Sequence, residues 1–125
     1  MNVLAIDYGR KKIGLAWLQE GLDVVLPFGQ IQTKRFKYEL AKIIQEENIG
    51  KAVVGLPLGI NGEENENTQR VHDFVEVLKQ KINIPIEFMD ERFTTAQAKR
   101  MDGGVSLDEK AAMLILQAYL DKSKQ

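Results

Sequence analysis

The chain has 125 residues, 44% of them apolar and 28% charged, enough for one ordinary core over residues 1–125 and unlike disordered, fibrous or membrane-embedded compositions. Its 17 basic against 18 acidic residues leave a formal charge of −1, so no whole-protein field draws in nucleic acid and any such role needs a local patch. Cysteine is absent, which excludes disulfides and thiolate metal sites; with no apolar stretch near the roughly 18 residues that span a bilayer and no signal-peptide plan at the start, a cytoplasmic protein without membrane contact is expected.

The first apolar run, Val3 to Ile6, ends abruptly in Asp7-Tyr8-Gly9, and its β-branched residues favour a buried strand with a carboxylate at its tip. A tight turn over Gly9 to Lys12 and a second strand, Ile13 to Leu18, would complete a hairpin with Asp7 near its mouth. Leu22 to Leu26 and Gln30 to Gln32 read as a third strand interrupted at Pro27, where proline fits an edge or a bulge. Phe36, Leu40, Ile43 and Ile44 recur at helical spacing, so a helix is expected from about Arg35 to Asn48, with Gly50 as its stop.

Ala52 to Gly55 is a second buried run, followed by a loop of turn formers from Leu56 to Gly62. A helix carrying Val71, Phe74, Val75, Leu78 and Ile82 on one face comes next, closed at Asn83. Ile84 to Met89 is a strand with Pro85 near its start, and Asp90-Glu91-Arg92-Phe93 lies at its far end. A short helix capped by Thr94 or Thr95 would reach about Asp102, and a last helix would run from about Leu107 to Asp121. A hairpin start followed by βαβ crossovers implies an α/β protein with a mixed five-stranded sheet, the first three strands antiparallel and the rest parallel, flanked by helices. An RNase H-like fold satisfies that order.

Glu91 follows a strand as Asp7 does, so parallel strands would bring both acids to one rim; the alternative is a polar turn with a local salt bridge. Asp108 fits a capping box in which Ser106 is the N-cap and Glu109 reaches back. At about 100° per residue it also falls within about 20° of Ile115 and Tyr119, on the inward side of the last helix. A carboxylate on that side needs a partner, and a metal ion is one candidate. Three acids without cysteine would suit Mg²⁺ or Mn²⁺ and phosphodiester hydrolysis. His72 is expected at the surface, and no nucleophilic Ser-His-Asp scheme can be built on it. Trp17 and Phe93 are expected in core or edge packing rather than in base stacking.

Four stretches in order, AIDYGRKKIGLA from Ala5, VVGLPLGINGEE from Val53, DERFTT from Asp90 and DEKAAMLILQAYL from Asp108, resemble the YqgF/RuvX family of RNase H-like proteins, described as Holliday junction resolvases and pre-16S rRNA 5′-end nucleases. The resemblance covers nearly the whole chain. It implies that Asp7, Glu91 and Asp108 are the catalytic, metal-binding acids, and it gives motif roles to Gly9, Gly14, Gly55, Pro57 and Arg92. In one respect the chain departs from the family: the usual longer, lysine-rich segment before the last acid is here the short stretch from Met101 to Leu107. Phosphate contacts then fall to Arg10, Lys11, Lys12, Arg92, Lys99 and Arg100.

The expected function is a divalent-metal nuclease acting on structured RNA, with rRNA maturation preferred, as a monomer or weak homodimer. Branched DNA is the alternative substrate, and junction resolution would call for a symmetric dimer. Two further classes remain: a nucleotide-binding ATPase module, which would need a second domain, and a non-catalytic ribosome-assembly protein.

Overall fold

The computed structural model describes residues 1–91 and 105–123. Five strands form one sheet: β1 (Asn2–Asp7), β2 (Lys12–Leu18), β3 (Val25–Gln32), β4 (Ile49–Leu56) and β5 (Ile86–Asp90). Their order across the sheet is β3-β2-β1-β4-β5. β1–β2 and β2–β3 pair antiparallel, whereas β1–β4 and β4–β5 pair parallel. This is the mixed sheet expected from the element order, with β1 at its centre. Three helices cover it: α1 (Phe36–Glu46), α2 (Glu66–Lys79) and α3 (Leu107–Ser123). The expected short helix between Thr94 and Asp102 lies outside the described residues.

Strand alternation sorts side chains between two faces. Leu4 and Ile6 of β1, Ile13 and Leu15 of β2, and Ala52 and Val54 of β4 join Leu40 and Ile44 of α1 and Val71, Phe74, Val75 and Leu78 of α2 in the larger core. The opposite face is built from smaller groups: Ala5, Ala16 and Val53 pack against Ala112, Ile115 and Leu116 of α3. Small residues on both partners let α3 lie close to the strands.

Three local expectations are corrected. β3 is not interrupted at Pro27; it runs from Val25 to Gln32 and absorbs the proline in a register shift, where Leu15 pairs with Gly29 and Ala16 with Pro27. The edge and the bulge are as expected for this proline: a missing N–H at the sheet edge costs no interior ladder bond, and Gly29 accepts the positive φ of 111° at the bulge. Leu22 and Val24 stay exposed outside the strand. α1 is closed by Asn48, which takes the left-handed conformation at φ 53°, while Gly50 belongs to β4. At the second helix, Ile82 lies beyond the end of α2 but still packs on the core.

Candidate active site

Asp7 is the last residue of β1 and pairs across the hairpin with Gly14. Parallel pairing carries the ends of β4 and β5 to the same rim, where Leu56 pairs with Asp90 and the Glu91 N–H donates to the Leu56 carbonyl at 3.2 Å. Alternation then puts Val3, Ala5 and Asp7 on the α3 face, and likewise Glu87, Met89 and Glu91. Asp90, one residue off that pattern, is exposed.

Two glycines make the site possible. A Cβ on Gly14 would run into the backbone carbonyl of Asp108, so the first turn of α3 sits directly on β2 and brings Asp108 over the end of β1. A Cβ on Gly55 would meet Ile115 Cδ1 and come within 2.6 Å of Glu91 Oε2, so the missing side chain is the space into which the Glu91 carboxyl folds. Ser106 caps α3 as expected: the Glu109 N–H donates to Ser106 Oγ at 3.2 Å, and Ser106 Oγ donates to Glu109 Oε1 at 3.0 Å.

The acids of the rim are not independent. Burial raises Asp7 to about 6; a hydrogen bond from Glu91 opposes this and the Asp108 charge adds to it. Burial also pushes Glu91 up to about 9, with the Asp7 charge and the hydrogen bond to Asp7 next in importance. Glu91 therefore keeps a proton and donates it to the Asp7 carboxylate, because two like charges this close and this buried cannot both ionise. Among the described residues no three His, Cys, Asp or Glu side chains are gathered closely enough to ligate one ion. Asp7 and Glu91 form a pair, and Asp108 is a third acid near enough for its charge to be felt at Asp7.

Beside Glu91 a cleft of about 210 Å³ is lined by Tyr8, Gly9, Arg10, Pro57, Asn67, Arg70, Val71 and Glu91. Of the expected phosphate-binding residues, Arg10 opens onto this cleft, and Arg10, Lys11 and Lys12 line a neighbouring hollow. Arg92, Lys99 and Arg100 lie outside the described residues, as does Phe93. Asn67 and Arg70 were not anticipated. They reach the rim because α2 begins there: Asn65 accepts from the N–H groups of Asn67 and Thr68, and the buried Thr68 hydroxyl donates to the Pro57 carbonyl. The legible signal was Asn65-x-x-Thr68, a capping box, which places the first turn of a helix and hence Arg70 one turn further on. Arg70 pairs with Glu66 at 3.5 Å. His72 lies at the surface, partly covered, with its Nε2 3.1 Å from Glu64 Oε1 and its ring edge-on to Phe88. Trp17 packs edge-to-face on Phe28, as core or edge packing requires.

A family profile described as RuvX, Holliday junction resolvase, matches residues 1–122. A Dictyoglomus turgidum protein is 40% identical over 137 aligned positions, covering 97% of this chain and 94% of the relative. A Phocaeicola vulgatus protein is 34% identical, with 98% and 97% covered. Both carry the name "Putative pre-16S rRNA nuclease". The 137 aligned positions exceed the 125 residues of this chain, so internal gaps fall on its side of the alignment. Among solved structures, Thermus thermophilus RuvC superposes with a TM-score of 0.62 at 15% identity, covering 98% of this chain and 97% of RuvC. RuvC in complex with a Holliday junction substrate gives 0.63 at 14% identity, with 98% and 96% covered. These likenesses establish the fold as RuvC-like and RNase H-like.

Proposed function

The chain belongs to the RuvX Holliday junction resolvase family, and from that premise we propose that residues 1–125 are one nuclease domain hydrolysing phosphodiester bonds in the cytoplasm, with 5′-end processing of pre-16S rRNA as its task. The observation that carries the reading is the Asp7–Glu91 carboxyl pair at the rim of the parallel strands, with Asp108 held above it by the contact on Gly14.

A divalent cation fits this donor set. The ligands would be hard carboxylate oxygens, and a cation would relieve the Asp7–Glu91 repulsion that adds to burial in raising Glu91. Asp7 and Glu91 are the residues that would hold Mg²⁺ or Mn²⁺, and Asp108 would complete the set only by coming closer to them than it stands here. When bound, such an ion supplies positive charge against the negative charge that develops on the phosphoryl oxygens.

The chain's own groups do the rest. Once deprotonated to solvent, Glu91 would present acceptor oxygens beside those of Asp7. Arg10 and Arg70 flank the cleft beside Glu91 and would hold a phosphate by charge-assisted hydrogen bonds. Ile115 and Met89 belong to the apolar packing on the α3 face. Cleavage of a precursor rRNA fragment in Mg²⁺ tests the reading. Asp7→Asn and Glu91→Gln should each abolish the metal-dependent rate while leaving the thermal unfolding transition cooperative. An unchanged rate in either variant would sink the assignment of the acids.

Junction resolution is the second reading, favoured by the description of the matching family. It requires two sites presented to paired strands, hence a symmetric dimer, so cleavage of a four-way junction by a stable dimer in paired incisions would select it.

A further inference from the structure

The cleft beside Glu91 does not end at Arg10. That residue also lines a hollow of about 350 Å³ with Lys11, Lys12, Gln32 and Lys34. The hollow is held in shape by backbone ties between its two walls. Thr33 Oγ1 donates to the Gly9 carbonyl at 2.7 Å, and the Thr33 N–H donates to the Lys11 carbonyl at 2.9 Å. Lys34 is shared in turn with a third hollow of about 360 Å³, whose lining includes Lys37, Tyr38 and Lys42 and one acid, Glu39. Tyr38 is 66% exposed, the Lys42 ammonium lies 6.0 Å from its ring centroid, and no ion pair among the described residues engages Arg10, Lys34, Lys37 or Lys42. A chain with no net basic charge thus keeps a continuous band of cations without ion pairs among the described residues, leading away from its candidate active site to an exposed aromatic ring that Lys42 approaches.

We propose that this band, from Arg10 over Lys34 to Tyr38 and Lys42, is an exosite for a single strand of RNA adjoining the scissile phosphate, with Tyr38 as the platform for an unpaired base. It deepens the nuclease reading and rests on it. A single strand is the occupant because its bases have free faces, whereas a duplex hides them in its stack, and because ammonium groups at intervals along a groove follow a backbone rather than a sequence. The Arg10 to Lys12 loop that meets the substrate at the rim becomes the near end of this path. The band also lies on elements far in sequence from Met101 to Leu107, so it supplies the phosphate contacts that the short segment does not.

The test uses the full-length protein carrying Asp7→Asn, so that RNA is bound without being cut, and fluorescence anisotropy with a labelled single-stranded RNA and with a duplex RNA of the same sequence. Tyr38→Ala should weaken single-strand binding about tenfold, the loss of one base–aromatic stack, with no comparable loss on the duplex, and Tyr38→Phe should restore it. Combining Lys34→Gln, Lys37→Gln and Lys42→Gln should reduce the slope of log affinity against log salt by about 2, the share of three single-strand phosphate contacts. Lys79→Gln with Lys122→Gln, remote from the band, serves as the control for charge alone. Unchanged single-strand affinity in Tyr38→Ala together with an unchanged salt slope in the triple variant overturns the exosite, even where the wild type cleaves RNA. The reverse result, weakened binding in these variants while the wild type cleaves nothing, keeps the exosite and removes the nuclease reading instead.

Discussion

Asp7 and Glu91 hold between them a proton that neither would keep in water, and that proton has a thermodynamic signature. Both carboxyls titrate above their ordinary values of 3.8 and 4.5, at about 6 and about 9, chiefly because of burial. The folded state therefore binds protons that the unfolded chain has already released, so the pair's contribution is fully present below the ordinary carboxyl range and is lost as pH rises through 6 and then 9. Metal-free protein should lose thermal stability across that window, and Asp7→Asn combined with Glu91→Gln should flatten the loss. If Asp7 and Glu91 hold Mg²⁺ as proposed, binding would compete with the proton, so the rise in unfolding temperature that Mg²⁺ causes should grow from pH 6 to pH 9 in the wild type and vanish in Asp7→Asn. Differential scanning fluorimetry across pH, with and without metal, reads both effects. Gly55→Ala would push a methyl group against Ile115 and the Glu91 carboxyl. Its expected signature is a rate loss of about 100-fold from a misplaced acid, beside a stability loss of about 1–3 kcal/mol. Asp7 was legible in the sequence as the polar end of an apolar run, and Asp108 as an acid on the inward angle of its helix. Family resemblance gave Gly14 and Gly55 motif roles without saying what fills the space beside them. A glycine does not announce which backbone or carboxylate will occupy the space it leaves.

The last helix and the second strand meet at a contact with no side chain between them, and this sets how far α3 stands from the sheet. Gly14→Ala would force the Asp108 backbone outward. The expected cost is about 1–3 kcal/mol in urea unfolding, with loss of metal-dependent cleavage because the third acid leaves the rim with its helix. At the other side of the cleft, α2 is started by Asn65 and tied to the Pro57 loop by the fully buried Thr68. Thr68→Val leaves the Pro57 carbonyl and the Asn65 N–H without that partner, at about 1–3 kcal/mol, and Thr68→Ser should recover most of it. Periodicity was enough to place all three described helices and the capping box of α3. It was not enough where β3 carries on through its proline instead of breaking, or where Asn48 rather than a glycine takes the left-handed turn. Both depend on neighbours that a local pattern does not contain.

The sheet divides the molecule into a thick, apolar side under α1 and α2 and a thin side under α3 on which the acids collect. Its topology followed from the order of a hairpin and two crossovers, since parallel pairing leaves little choice about which strand ends share a rim. The cleft and its basic extension were harder to foresee, because they join residues from the first hairpin, the turn after β3 and the first turns of α1 and α2. If rRNA maturation is the task, one copy suffices, and sedimentation at working concentration should give a monomer or a weakly associating species. A tight dimer with paired incisions would move the assignment to junctions. The Gly14–Asp108 contact also orders events in time. Asp7 and its hairpin leave the ribosome long before α3 does, and the amino-terminal part of a chain is free to fold first. Until the last helix docks, the rim holds two acids and no third, so on the proposed nuclease reading a nascent or stalled chain would be latent. The RNA-cutting site would then be silent toward the ribosome that is still making it.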